Sequence, residues 1–393
     1  MASLIGRFNG ERLKSARLYN GLTIAEVAEK TGISKQAVSQ FENNKSEPKS
    51  DTLFKFMGLF GFPREYFFEE SREKSIVGDT YFRAYSTLTN KEKLAQIERA
   101  SMLVEVYKGI EEYISFPKLN LYSIDADCEL DMEQLASDVR VYWGISETKP
   151  INIIDIMERN GIIVNSFFTN SRNIDAYSQI HHLNGRNIAV VILGEDKENA
   201  FRRNFSAAHE LGHLLLDDFF SIDDMSKLEY RDMENMMNRF AGALLVPARA
   251  FHNDLCTLSK TDINSYISLK KRYIVSAAAL IVRAWQLNEI TSNQYQYLMK
   301  QLSMKGYRTC EPLDKETPPI KPRYLKHAMK IIFEEDGVES FEFLDTLSKN
   351  GCTLSTNLIE ELVGLEPGYL QQNDKVSNLI ELHRKNKDEN RSY

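Results

Sequence analysis

Residues 207–216 read Ala-Ala-His-Glu-Leu-Gly-His-Leu-Leu-Leu, and no other stretch constrains this chain as tightly. His209 and His213 are four apart, so a helix puts both imidazoles on one face, with Glu210 at its edge. A helix of this pattern can hold one divalent cation on the two histidines and keep the glutamate as general base for metal-assisted hydrolysis. With only seven His in 393 residues, the spacing is a rare coincidence unless it has a purpose. The competing reading is a core helix whose histidines are merely hydrogen-bonded, and a third ligand would argue against it.

That ligand is sought downstream. Residues 233–247 read as a second helix, with Phe240, Ala241, Leu244 and Leu245 apolar and Pro247 ending it. Glu234 and Asn238 share one of its faces. Glu234 as third ligand completes a His₂Glu set and leaves a fourth position for water, as a catalytic zinc needs. Asn238, one turn on, is placed to hydrogen-bond a ligand. His₂Glu suits zinc, and manganese is possible. Upstream, 130–143 and 151–159 read as helices, and 161–167, 175–180 and 187–193 as strands. A small sheet leading into the motif helix predicts an α+β, zincin-like peptidase domain over residues 121–304.

The motif Phe205-Ser-Ala-Ala-His-Glu-Leu-Gly-His-Leu-Leu-Leu, joined to Glu-x-x-Met-Asn-Arg-Phe-Ala-x-x-Leu-Leu-x-Pro, resembles the ImmA/IrrE metallopeptidases over residues 140–255. Met237 stands where that family commonly has Ala, and Asp217 where a His often follows the Leu run. The resemblance implies a zinc-dependent endopeptidase that controls transcription by cutting repressors with helix-turn-helix domains. Its oxyanion would need a further donor, for which Tyr177, His181 and His182 are candidates outside the main ligand set.

The N-terminal segment supplies the link to transcription. Leu13 and Ala16, then Leu22, Val27 and Ala28, then Ile33, Val38 and Phe41 mark short helices broken by Asn20-Gly21 and Gly32. Thr23-Ile-Ala-Glu26 is a capping box and Ser34 a good N-cap. This is a helix-turn-helix arrangement, and residues 13–67 resemble the Cro/C1-type (Xre) family. Ile24 departs from the Gln often found there. The resemblance implies that Lys35, Gln36 and Ser39 face base edges or nearby phosphates, and that Asn43, Asn44 and Lys45 approach the backbone of a double-stranded operator. It also implies a homodimer on a two-fold site.

Charge agrees with that placement. The chain carries a net −7, yet residues 1–65 hold ten Lys/Arg against seven Asp/Glu. Nucleic-acid contact therefore belongs at the N-terminus. Four scattered cysteines and the lack of a long apolar run fit a reducing cytoplasm and no membrane anchor.

The expected class is multidomain and mainly α. An all-α helix-turn-helix domain spans 1–68, and a solvated linker with a long amphipathic helix spans 69–120. The peptidase domain follows at 121–304 and a small helical domain at 305–393. A segment Gly306-Tyr-Arg-Thr-Cys-Glu-Pro312 resembles one that follows the peptidase in the family, and residues 384–393 read as disordered. The function expected is a DNA-binding regulator whose endopeptidase domain cleaves a repressor-type protein, or its own chain near 69–90. The alternative is a DNA-binding regulator or antitoxin-like protein whose peptidase-like domain is a non-catalytic sensor or scaffold.

Overall fold

The computed structural model describes residues 6–70, 76–78, 80–82, 88–125, 129–147, 149–167, 174–183, 185–195, 199–222 and 225–372. The predicted disordered end, 384–393, and Cys128 lie outside them. Four helices open the chain: α1 (Gly10–Tyr19), α2 (Ile24–Thr31), α3 (Lys35–Glu42) and α4 (Ser50–Phe60). Thr23 and Glu26 close the predicted capping box on α2, and Gly32 ends that helix at φ 70°. Ser34 caps α3 through the amide of Ala37. The order helix, tight turn, helix follows from these local signals.

Two short strands follow, β1 (Ile76–Val77) and β2 (Tyr81–Phe82), and then α5 (Asn90–Ile110), started by a second capping box of Thr89 and Glu92. Helices α6 (Met132–Tyr142) and α7 (Ile153–Arg159) lead to strands β3 (Ile163–Phe167), β4 (Ala176–Leu183) and β5 (Arg186–Gly194). Next come α8 (Ala200–Leu215) and α9 (Lys227–Leu245). Then α10 (Ala248–Cys256), α11 (Ile263–Tyr273), α12 (Ala277–Gln286) and α13 (Ser292–Met304) complete a helical layer. The C-terminal helices are α14 (Tyr324–Lys330), which runs into a π turn at Ile331–Glu335, then α15 (Ser340–Lys349), α16 (Thr356–Val363) and α17 (Tyr369–Gln372).

The sheet runs β1-β4-β5-β3, with β2 also on β4; β3 is parallel to β5, and the other pairings are antiparallel. It divides two cores. Ala189, Val191 and Leu193 of β5 face α8 in one core, whereas Ile188, Val190 and Ile192 face α5 and the C-terminal helices in the other. A strand covered on both faces reads as an unbroken apolar run, which is why 187–193 shows no alternation.

The sequence reads residues 69–74 as a solvated linker and 79–85 as a short extended stretch; residues 71–75, 79 and 83–87 lie outside the described residues, and Glu69 departs from the solvated reading. Glu69 is inside the molecule, paired with Arg12 at 3.2 Å and accepting the amide of Thr353 at 2.7 Å. Residues 76–77 and 81–82 are sheet strands. Charge alone suggested solvent; partners distant in sequence decided otherwise. The C-terminal helices likewise pack across units: Arg12 donates to the carbonyl of Gly351 at 2.7 Å, and Asn165 of β3 to that of Leu362. Arg99 of α5 reaches the carbonyl of Tyr19 at 3.2 Å. Helix α1 is thus packed against α5 and the C-terminal helices.

Candidate metal centre and DNA-reading surface

Helix α8 is capped by Asn199 on the amide of Arg202, and 14 of its 16 residues are buried, so its histidines are set by packing on all sides. His209 Nε2 and His213 Nε2 lie 3.1 Å apart. Glu234, in the second turn of α9, puts one carboxylate oxygen 3.3 Å from His209 Nε2 and the other 3.3 Å from His213 Nε2. Four ligands at ~2.0–2.1 Å around a tetrahedral zinc are roughly 3.3 Å from each other. The two imidazole nitrogens stand near that spacing, and the carboxylate spans them with one oxygen toward each. Taken one atom per residue the three groups lie within 4.8 Å, so the donor set fits such an ion. Burial raises the Glu234 pKa, but the hydrogen bonds and charge of the two histidines outweigh it and hold the carboxylate down to about 2.

Gly212 explains how α9 comes so close. A Cβ there would meet Met237 Sδ at 2.9 Å and Phe240 at 3.0 Å. The glycine between the two histidines therefore lets α9 press against α8 and deliver Glu234, with Met237 filling the space left. Helix α9 also begins earlier than its sequence pattern indicated, at a capping box of Ser226 and Glu229.

The surroundings orient the donors. Asn238 Oδ1 lies 3.2 Å from His209 Nδ1, which fixes that ring. His213 is held differently: the ring of Tyr81 stacks on it at 4.5 Å with 17° between planes. Glu210 is fully buried and accepts a 2.8 Å hydrogen bond from Ser178 Oγ of β4. Ser178 and Tyr81 were not identified from sequence. Ser178 had a faint signal, since an alternating strand must turn one parity toward the motif helix; Tyr81, more than a hundred residues before that helix, had none.

The three candidate oxyanion donors are separated by the same parity. Tyr177 and His181 lie on the face opposite α8. Tyr177 is buried there and donates to the carbonyl of Gln96 at 3.0 Å. Burial and the nearby His182 push the pKa of His181 down to about 4. His182 has the parity of Ser178 but lies four residues along the strand, roughly 13 Å away at ~3.3 Å per residue. None of the three is brought to Glu210. Beside Asn238, a groove of about 910 Å³ runs between α8, α9, α12 and residues 307–314, lined in part by Phe205, Arg239 and Arg308.

On the N-terminal domain, Lys35, Gln36 and Lys45 are exposed. Ser39 and Asn43 are tied together, the amide of Asn43 donating to the carbonyl of Ser39 at 2.7 Å. Asn44, at φ 55°, accepts the amide of Gly10 at 2.7 Å through its side-chain oxygen, which leaves the amide nitrogen as the group able to donate to a phosphate. Arg17 and Glu42 form a buried two-point ion pair at 2.6 and 2.9 Å that ties α1 to α3.

The sequence matches the helix-turn-helix family over residues 13–67 and the IrrE N-terminal-like domain of peptidase family M78 over residues 157–284. It is 30% identical over 90 residues to the HTH-type transcriptional regulator ImmR of Bacillus subtilis (strain 168), covering 22% of this chain and 71% of that relative. The chain belongs to the helix-turn-helix regulators and carries an IrrE-type peptidase domain. In this regulator the matched peptidase segment runs from α7 to α12 and contains His209, Glu210, His213, Glu234 and Ser178, but not β1 or β2. No helix among the described residues is long and apolar enough to cross a membrane.

Proposed function

We propose that this regulator binds double-stranded operator DNA, as a homodimer on a two-fold site, through Lys35, Gln36, Ser39, Asn43, Asn44 and Lys45, and that its IrrE-type domain is a metal-dependent endopeptidase. The substrate is a repressor-type protein or this chain itself, and cleavage switches transcription. The observation that carries the enzymatic part is the closure of His209, His213 and Glu234 to within 4.8 Å, with Glu210 beside them.

His209, His213 and Glu234 would hold the ion, zinc by preference or manganese. Such an ion supplies Lewis-acid polarisation of the peptide carbonyl and acidifies water. Glu210 takes the proton of the attacking water and returns it to the leaving amine. Ser178 holds one oxygen of Glu210 in place and thereby aims the other. Asn238 and Tyr81 keep the two imidazoles in register. Burial excludes bulk water and strengthens each of these interactions.

The same burial is what favours a non-catalytic sensor as the second reading, because His209 and Glu210 are 0% exposed and His213 1%. The two readings part on Glu210→Gln. Cleavage of candidate repressors and of the chain should fall by roughly 10²–10⁴-fold, while metal content and operator affinity stay unchanged. If the unsubstituted, metal-loaded protein cuts neither itself nor any repressor encoded nearby, the sensor reading replaces the enzyme.

A further inference from the structure

The centre is walled in by one element that the family match does not include. Strand β4 carries Ser178, the partner of Glu210, and its edge beyond β5 is where an extended peptide would add to the sheet. In this chain that edge is filled. Ile76 and Val77 pair with His182 and His181, and Tyr81 and Phe82 with Ser178 and Tyr177, all antiparallel. The amide of Gly78 donates to the carbonyl of Ile180 at 2.8 Å, and Gln179 donates to Thr80 Oγ1 at 3.0 Å. Tyr81 sits opposite the residue bonded to Glu210, is 1% exposed, and lays its ring flat on His213.

These contacts define a position and a preference. The backbones of residues 76–78 and 81–82 pair with the β4 edge as any peptide strand would, so apart from the contact to the Thr80 hydroxyl these hydrogen bonds are indifferent to sequence. The ring of Tyr81 is the selective part, since the stack on His213 requires a flat π surface. Both strands lie in the sequence between the helix-turn-helix match and the peptidase match.

We propose that residues 76–82 are the resting occupant of the peptide-binding edge. An external substrate is then an extended peptide with an aromatic side chain at the Tyr81 position, admitted by strand exchange. This rests on reading the centre as a peptidase, and the test is chosen to be independent of turnover. The probe is a labelled synthetic peptide of residues 74–86 added to the full chain carrying Glu210→Gln. Adding Tyr81→Ala to that chain should tighten peptide binding about ten-fold or more, because the internal competitor is weakened. Tyr81→Phe should leave it as in the parent, and a peptide with Ala in place of Tyr should show no gain. Equal affinity of parent and Tyr81→Ala chains would overturn the proposal.

A second measurement covers the case in which Tyr81→Ala does not fold. In the unsubstituted chain, peptide up to millimolar concentration should strip hydrogen-exchange protection from the Gly78 amide while β4 and β5 keep theirs. Protection unchanged throughout would overturn the strand exchange. Exchange at Gly78 without cleavage of any substrate would instead leave the occupant in place and remove the peptidase reading.

Discussion

Helices α3 and α8 carry the two proposed chemistries of this molecule, and they are built in opposite ways. Of the eight residues of α3, Val38 and Glu42 are buried, and the face with Lys35 and Gln36 is open. Of the sixteen in α8, fourteen are buried, and the reactive groups are among them. A helix that reads a macromolecule must present its side chains to the outside and can be held by a few anchors. A helix that assembles an ion site must be fixed from every direction, because donor atoms have to converge within a few tenths of an ångström. Substitutions on α3 should therefore be felt in binding, and substitutions around α8 in geometry.

The anchor of α3 is where that contrast is broken most severely. Arg17→Ala strands the carboxylate of Glu42, whose side chain is 5% exposed. The expected loss is about 3–5 kcal/mol of stability in the helix-turn-helix unit, read by chemical denaturation, with operator binding lost in parallel. A neutral replacement of both partners, Arg17→Met with Glu42→Leu, should restore most of the stability. Failure of that restoration would place the role of Arg17 outside the pair.

Gly212→Ala sharpens the geometric side. The added methyl meets Met237 and Phe240, so α9 must retreat, at about 1–3 kcal/mol and with weakened metal retention. The double variant Gly212→Ala, Met237→Ala should recover metal binding if the contact with Met237 is what matters. Asn238→Ala frees the His209 ring, and competition with a chelator should show metal affinity about 10–100-fold lower while the fold is kept. An unchanged affinity would mean that packing alone orients His209. The mildest effect on stability belongs to the open face. Lys35→Ala with Gln36→Ala should cost roughly 1–3 kcal/mol in operator affinity and leave the melting temperature and metal content as they were.

Much of each helix was legible before any tertiary contact was considered. The capping box at Thr23 and the four-residue spacing of His209 and His213 depend on neighbours within a turn or two, so they survive as sequence patterns. Asn44 shows the limit on the DNA side. Its identity suits a phosphate contact through the amide nitrogen, and what the sequence does not record is that a backbone amide 34 residues away holds its oxygen. Tyr177 and His181 show it on the other side, where a two-residue period sends them to the wrong face of β4.

The sequence by itself indicated a helix with two histidines on one face, a glutamate on the next helix, and a helix-turn-helix segment ahead of both, because these follow from periodicity and short-range hydrogen bonding. The tertiary structure decided what surrounds the metal helix. Gly212 permits the approach of α9, Ser178 reaches Glu210 from a strand 32 residues earlier, and Tyr81 closes over His213 from a short extended stretch far from it in sequence. Such contacts depend on which strand edges and helix faces meet when two cores form on either side of one sheet, and no local pattern in residues 69–90 records that pairing.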